Sequence, residues 1–183
     1  MLYHASQTPN IKILEPRVSN HGKPLVYFSQ KRENTLVYLS NAVEKHCGEN
    51  CFAHDGKYTK WGSYGFNREG ILVLDEYYPN AARETYEGVS GYIYSATETG
   101  KPMSDIPFAF ITDKPMEVID CEFVEDAYAE LLRAAGQVKI IMNRYEENSP
   151  QKLKWIEKTV REEYENPKST EEYKYFLQCK FGL

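Results

Sequence analysis

Apolar residues along the chain fall into short runs with two different periods. Leu25-Val26-Tyr27-Phe28-Ser29 follows a turn composition, Asn20-His21-Gly22-Lys23-Pro24, and reads as a strand. From Asn34 to about His46 the residues Leu36, Leu39, Ala42 and Val43 recur at helical spacing, with Gly48 placed as a stop. Residues 47–69 are rich in glycine, aromatic and polar residues, which predicts a long loop or an irregular hairpin. The strongest strand pattern is Ile71–Tyr78; Asn80 is placed to cap a short helix through Tyr86, which Gly88 ends. Gly91–Thr97, Phe108–Thr112, Met116–Ile119 and Val138–Met142 read as further strands. Val124, Tyr128, Leu131, Leu132 and Ala135 form one helical face ending at Gly136. Ser149-Pro150 opens a helix with Leu153, Ile156, Val160 and Tyr164 inward, and Ser169-Thr170-Glu171-Glu172 reads as a capping box for a last helix carrying Tyr173, Phe176 and Leu177.

A strict strand–helix alternation is absent, so the fold class expected is mixed α+β rather than a doubly wound parallel sheet. The 183 residues fit one domain, with a core over 1–147 and a C-terminal helical extension over 148–183. The longest aliphatic run, Ile71–Leu74, falls far short of the ~20 residues of a membrane span. The opening Met1-Leu2-Tyr3-His4 has neither the basic flank nor the apolar stretch of a signal peptide, which points to the cytoplasm. A formal charge of −5 argues against nucleic acid as a partner, because phosphate-backbone affinity is largely a Lys/Arg effect. Cys47, Cys51, Cys121 and Cys179 are expected as reduced thiols.

Three features near the start belong together. A histidine closes the first short strand, as Leu2-Tyr3-His4-Ala5-Ser6; Tyr27 lies in the next strong strand; and Tyr38 follows on the predicted helix, with ten residues between the two tyrosines. Two tyrosines converging from a strand and the next helix can hold a flat, positively charged ring by stacking and cation–π attraction. A histidine at a strand end can bond a ribose hydroxyl, and Ser6 can add a polar contact. Over residues 2–45 the chain resembles the diphtheria-toxin and poly(ADP-ribose)-polymerase branch of the ADP-ribosyltransferases, whose signature is a first-strand His, then Tyr-x10-Tyr, then a late acid. The resemblance implies a split sheet with peripheral helices, NAD as substrate, His4 on the ribose, Tyr27 and Tyr38 around nicotinamide, and transfer of ADP-ribose to an acceptor that the residues do not name.

The family's late acid opens a strand, where it would stabilise the oxocarbenium that develops as the nicotinamide–ribose bond breaks. Here the corresponding strand opens with Ile106-Pro107-Phe108. Asp105 is the nearest acid and Glu76 the runner-up. A missing acid points to mono-transfer by another arrangement or to no catalysis, and so to the alternative reading, a non-catalytic nucleotide-binding or protein-interaction module on the same fold. The segment His46-Cys47-Gly48-Glu49-Asn50-Cys51-Phe52-Ala53-His54 holds four possible zinc ligands in nine residues, but tetrahedral zinc from one short loop would be strained, and no bound metal is expected.

Overall fold

The computed structural model describes residues 1–18, 22–54, 63–97, 101–103 and 105–183. The fold is mixed α+β. In chain order its strands and α-helices are β1 (Leu2–Ser6), β2 (Ile13–Leu14), β3 (Arg17–Val18), β4 (Pro24–Ser29), α1 (Ala42–Glu49), β5 (Tyr64–Phe66), β6 (Leu72–Asp75), α2 (Ala81–Tyr86), β7 (Gly91–Ala96), β8 (Lys101–Pro102), β9 (Ala109–Thr112), β10 (Met116–Glu117), β11 (Asp120–Val124), α3 (Ala127–Gly136), β12 (Ile141–Asn143), α4 (Pro150–Glu165) and α5 (Glu171–Phe181). The main sheet runs β11-β7-β1-β4-β9-β8, with β3 also on β4, and every pairing in it is antiparallel. A smaller sheet, β12-β6-β5, combines one parallel and one antiparallel pairing.

Alternation along the strands separates two cores, because successive side chains face opposite sides of a sheet. On one face of the main sheet Ala5 and Ile93 pack with Leu36, Val37 and Leu39, with Leu72 and Leu74 of β6, and with Leu131 of α3. On the other face Leu2, Val26, Phe28, Tyr94 and Ala96 meet Leu14 and Met116 of the β2–β10 pair. A third core joins the C-terminal helices to the rest: Ile156, Val160, Tyr173, Phe176 and Leu177 pack on Val43, Cys47, Tyr78 and Ala81. Gly91 permits the close approach of β7 to the first of these layers, since a Cβ there would lie 2.6 Å from Leu39 Cδ2.

Several elements depart from the sequence pattern. The helix expected over Asn34–His46 is two helices: a 3₁₀ helix, Arg32–Leu39, and then α1. They part at Ser40, which is extended, and Asn41, whose side chain accepts from Val43 N (3.0 Å) and Glu44 N (3.4 Å) and so caps α1. Asn80 makes no capping bond with its side chain; the carboxylate of Glu76 accepts from Ala82 N instead, at 3.1 Å. Val124 belongs to a strand rather than to the α3 face, and Leu132 points outward, 42% exposed. Thr170 makes no capping-box bond, and Ser169 Oγ donates to Glu163 O. Ser149 caps α4 as expected, accepting from Lys152 N. Asn20 and His21 of the expected turn lie outside the described residues, as do residues 55–62 of the expected loop.

Val138 is a β-branched residue at φ 58, and it is 77% exposed. The left-handed region costs an L-residue roughly 1–2 kcal/mol, a cost that glycine escapes. Val138→Gly is therefore expected to stabilise the fold by about 0.5–1 kcal/mol, after the greater freedom of glycine in the unfolded chain is set against the relief. A rise in the urea midpoint at unchanged slope is the expected result.

Candidate functional site

β1 and β4 meet at a single register pair, Tyr3↔Ser29, whereas β1 and β7 pair along their length from Leu2↔Ala96 to Ser6↔Tyr92. Beyond that one pair β1 and β4 part, and the side chain of His4 spans the split: its Nδ1 lies 2.9 Å from the carbonyl oxygen of Tyr27. A carbonyl only accepts, so Nδ1 carries the proton and donates. Burial lowers the imidazole pKa, the bond to Tyr27 opposes that, and the positive charge of Arg17 lowers it further. The ring is thus neutral near pH 7, and Nε2 is left as an acceptor with no hydrogen bond among the described residues. The imidazole packs edge-on against Phe28, with ring centroids 6.0 Å apart.

The phenol of Tyr27 leaves β4 on the face opposite Val26 and Phe28, as strand alternation requires. On that side stands Tyr38, in the last turn of the 3₁₀ helix. Burial, and then the neighbouring phenols of Tyr64 and Tyr27, push the Tyr38 hydroxyl far above the usual phenol range. Yet Tyr38 is 45% exposed. The 3₁₀ helix that carries it is pinned from below: Asn34 Nδ2 donates to Gly70 O (2.8 Å), Asn34 Oδ1 accepts from Leu72 N (3.2 Å), and Tyr86 Oη donates to Val37 O (3.2 Å). Gln7 Nε2 donates to Leu39 O at 2.7 Å and ties the end of the helix to β1.

The sheet therefore brings His4 onto the backbone of Tyr27 and Tyr38 into the neighbourhood of the Tyr27 phenol. Ser6 Oγ closes a turn by accepting from Thr8 N (3.1 Å) and makes no other hydrogen bond among the described residues. No protein-family model, no curated protein and no solved structure matches this chain. What the site can do rests on its own geometry.

The two acids take different places. Glu76 is 4% exposed, and its carboxylate accepts from Ala82 N (3.1 Å), from Tyr145 N (3.2 Å) and from Arg144 Nη1 (3.3 Å). That carboxylate ties α2 to the turn after β12 and stands as the cap of α2, a structural role the sequence does not mark. Asp105 is exposed, in the turn before β9, whose Ala109 pairs with Ser29. At the head of β9 stands Phe108, at φ 64, with Lys31 Nζ 4.3 Å from its ring centroid. An apolar ring and a cation occupy the place where the sequence resemblance called for an acid.

Two residues near the site carry no signal in the sequence. Arg17, exposed on β3, makes no ion pair among the described residues, and its charge acts on His4. Tyr64, from the stretch expected to be a loop, sits on β5 with its ring 6.1 Å from that of Tyr38. The Cys47–His54 segment is a helix end rather than a ligand loop: His46 packs against Tyr175 and Phe176, and Cys47 is buried. All four cysteines are free, and among the described residues no three His, Cys, Asp or Glu side chains cluster as metal ligands would. Among those residues, too, no helix is long and apolar enough to cross a membrane.

The depressed pKa of His4 has a consequence for stability. The unfolded chain takes up a proton near pH ~6.5, which the folded imidazole resists. The folded state then binds fewer protons, so stability is retained above that pH and falls as the pH drops below it. His46 is lowered as well, by burial first and by Lys180 second, and adds in the same direction. The urea midpoint is expected to fall between pH 7.5 and 5.5, and by less in His4→Gln; an equal fall in both proteins would contradict the assignment.

Proposed function

We propose that the chain binds NAD in the split between β1 and β4, on an ADP-ribosyltransferase-like fold. The observation that carries the reading is the state of His4. Its Nδ1–H is committed to the Tyr27 carbonyl, and a neutral Nε2 is left to accept from a ribose hydroxyl. Tyr27 and Tyr38 approach one another on the opposite face of the sheet, across the split from His4, where the cationic nicotinamide ring can stack. Arg17, a cation beside His4 that makes no ion pair among the described residues, is suited to the pyrophosphate. Each group meets a different part of one dinucleotide.

One observation favours a second reading for the chemistry. β9 is headed by Phe108 under Lys31, not by a carboxylate, and Glu76 is engaged by α2 and the turn after β12. Among the described residues Asp105, in the turn before β9, is the acid left to stabilise a developing oxocarbenium. The site thus fits a nucleotide-binding module with slow or absent transfer of ADP-ribose, and the acceptor has no group assigned to it.

Chromatographic assay of free nicotinamide during incubation with NAD tests the chemistry. Release is expected at or near the uncatalysed rate, whereas His4→Ala should weaken NAD binding by ~1 kcal/mol through loss of one polar anchor. Brisk release by the wild type, abolished in Asp105→Asn, would overturn the non-catalytic reading and assign the acid.

A further inference from the structure

Among the described residues Tyr38 makes one ring contact and its hydroxyl makes no hydrogen bond. That one contact is with Tyr64: ring centroids 6.1 Å apart and planes at 86°, an edge-to-face pair. Tyr64 is itself held. It opens β5, where it pairs with Leu74 of β6, and its ring packs partly buried against the core of Leu36, Leu72 and Leu74. Beneath the pair lies Tyr86, fully packed, whose hydroxyl pKa is raised by burial and by the phenols of Tyr64 and Tyr38. The small sheet therefore presents a well-anchored aromatic ring to Tyr38.

We infer that Tyr64 is a positioning residue, which holds the Tyr38 ring perpendicular to its own and ready to stack on a flat ligand. The inference rests on the proposed NAD site and adds a third tyrosine to it, from a strand distant in sequence. The physical reason is preorganisation: a stacking face fixed before the ligand arrives loses less freedom on binding. An edge-to-face partner meets at most one face of Tyr38 and leaves the other for a ligand.

The test uses the full chain and three substitutions. Tyr64→Leu preserves the apolar contact with the core and removes the aromatic partner; Tyr64→Phe preserves both. By calorimetry Tyr64→Leu is expected to weaken NAD binding about three- to tenfold and Tyr64→Phe less than about twofold. In a Tyr38→Ala background Tyr64→Leu should cause no further loss, because a residue that acts through Tyr38 has nothing left to position. A second readout needs no ligand. Ring-current shifts in the proton spectrum tie the two rings together, and Tyr64→Leu should return the Tyr38 ring protons towards the values of free tyrosine. Losses that add in the double variant, or Tyr38 resonances that stay put in Tyr64→Leu, would overturn the positioning role alone. Absence of NAD binding by the wild type would overturn the ligand assignment on which it rests.

Discussion

Glu76→Ala is expected to lower the free energy of unfolding by about 3 kcal/mol, the largest stability effect of any surface or site substitution considered. The carboxylate is buried and serves two elements at once. One oxygen accepts from Ala82 N in the first turn of α2 and from Arg144; the other accepts from Tyr145 N. Removal leaves two backbone N–H groups without an acceptor in a buried place, and a guanidinium whose remaining polar partner is Tyr128 Oη at 3.3 Å. Each stranded donor costs ~1–3 kcal/mol, far more than an exposed ion pair would return. Glu76→Gln keeps one acceptor oxygen and should lose about half as much. Urea unfolding of the three proteins checks this, with the slope unchanged and the midpoint ordered wild type, Glu76→Gln, Glu76→Ala. Nicotinamide release, if the wild type shows any, should survive Glu76→Gln, because this carboxylate faces the fold and not the split.

The second large effect is on ligand binding. Tyr38→Ala should weaken NAD by ~0.5–2 kcal/mol, roughly two- to thirtyfold, and Tyr38→Phe by far less, since a phenyl face keeps the stacking. The hydroxyl has no hydrogen-bond partner among the described residues, so its removal strands nothing. Tyr38 stands 45% exposed and takes no part in the buried cluster of Leu36, Val37 and Leu39, so both variants should fold with near wild-type stability. The effect therefore reports on the ligand rather than on the scaffold. Equal losses in the two variants would mean that the hydroxyl, not the ring, makes the contact.

Much of the main sheet was legible from alternation and turn chemistry. β1, β4 and β7 lie where short apolar runs bounded by Gly, Pro and Asn predict them, because each buries one or both faces, and the half-buried β9 lies within its predicted run. β11 was hidden for the opposite reason: Asp120, Cys121, Glu122 and Phe123 are all exposed at the sheet edge, so no buried face marks the strand before Val124. The break between the 3₁₀ helix and α1 was masked because Leu36 and Leu39 continue in near-register into Ala42 and Val43; Ser40-Asn41 was the signal, with Asn41 an N-cap in the middle of an apparent helix. Ser149-Pro150 was read correctly because its cap is local. The cap of α2 was not, because Glu76 reaches it across a turn through space.

The site divides along the same line. The pattern of one histidine and two tyrosines is sequence-local enough to be seen, and the register of β1 against β4 brings His4 to the Tyr27 carbonyl. Arg17 and Tyr64 escape any local pattern, since one is an isolated exposed cation and the other comes from a stretch of irregular composition. Their relevance exists only through proximity, to His4 in one case and to Tyr38 in the other. The capping role of Glu76 was not legible, because a strand-end carboxylate looks the same in sequence whether it faces solvent or caps a helix.

The most direct measurement is a calorimetric titration of NAD into the wild-type chain at neutral pH, repeated with Tyr38→Ala, Tyr38→Phe and His4→Ala. Saturable binding by the wild type is expected, retained by Tyr38→Phe and weakened in the other two. No detectable heat of binding at millimolar NAD would contradict the ligand assignment, whatever the fold.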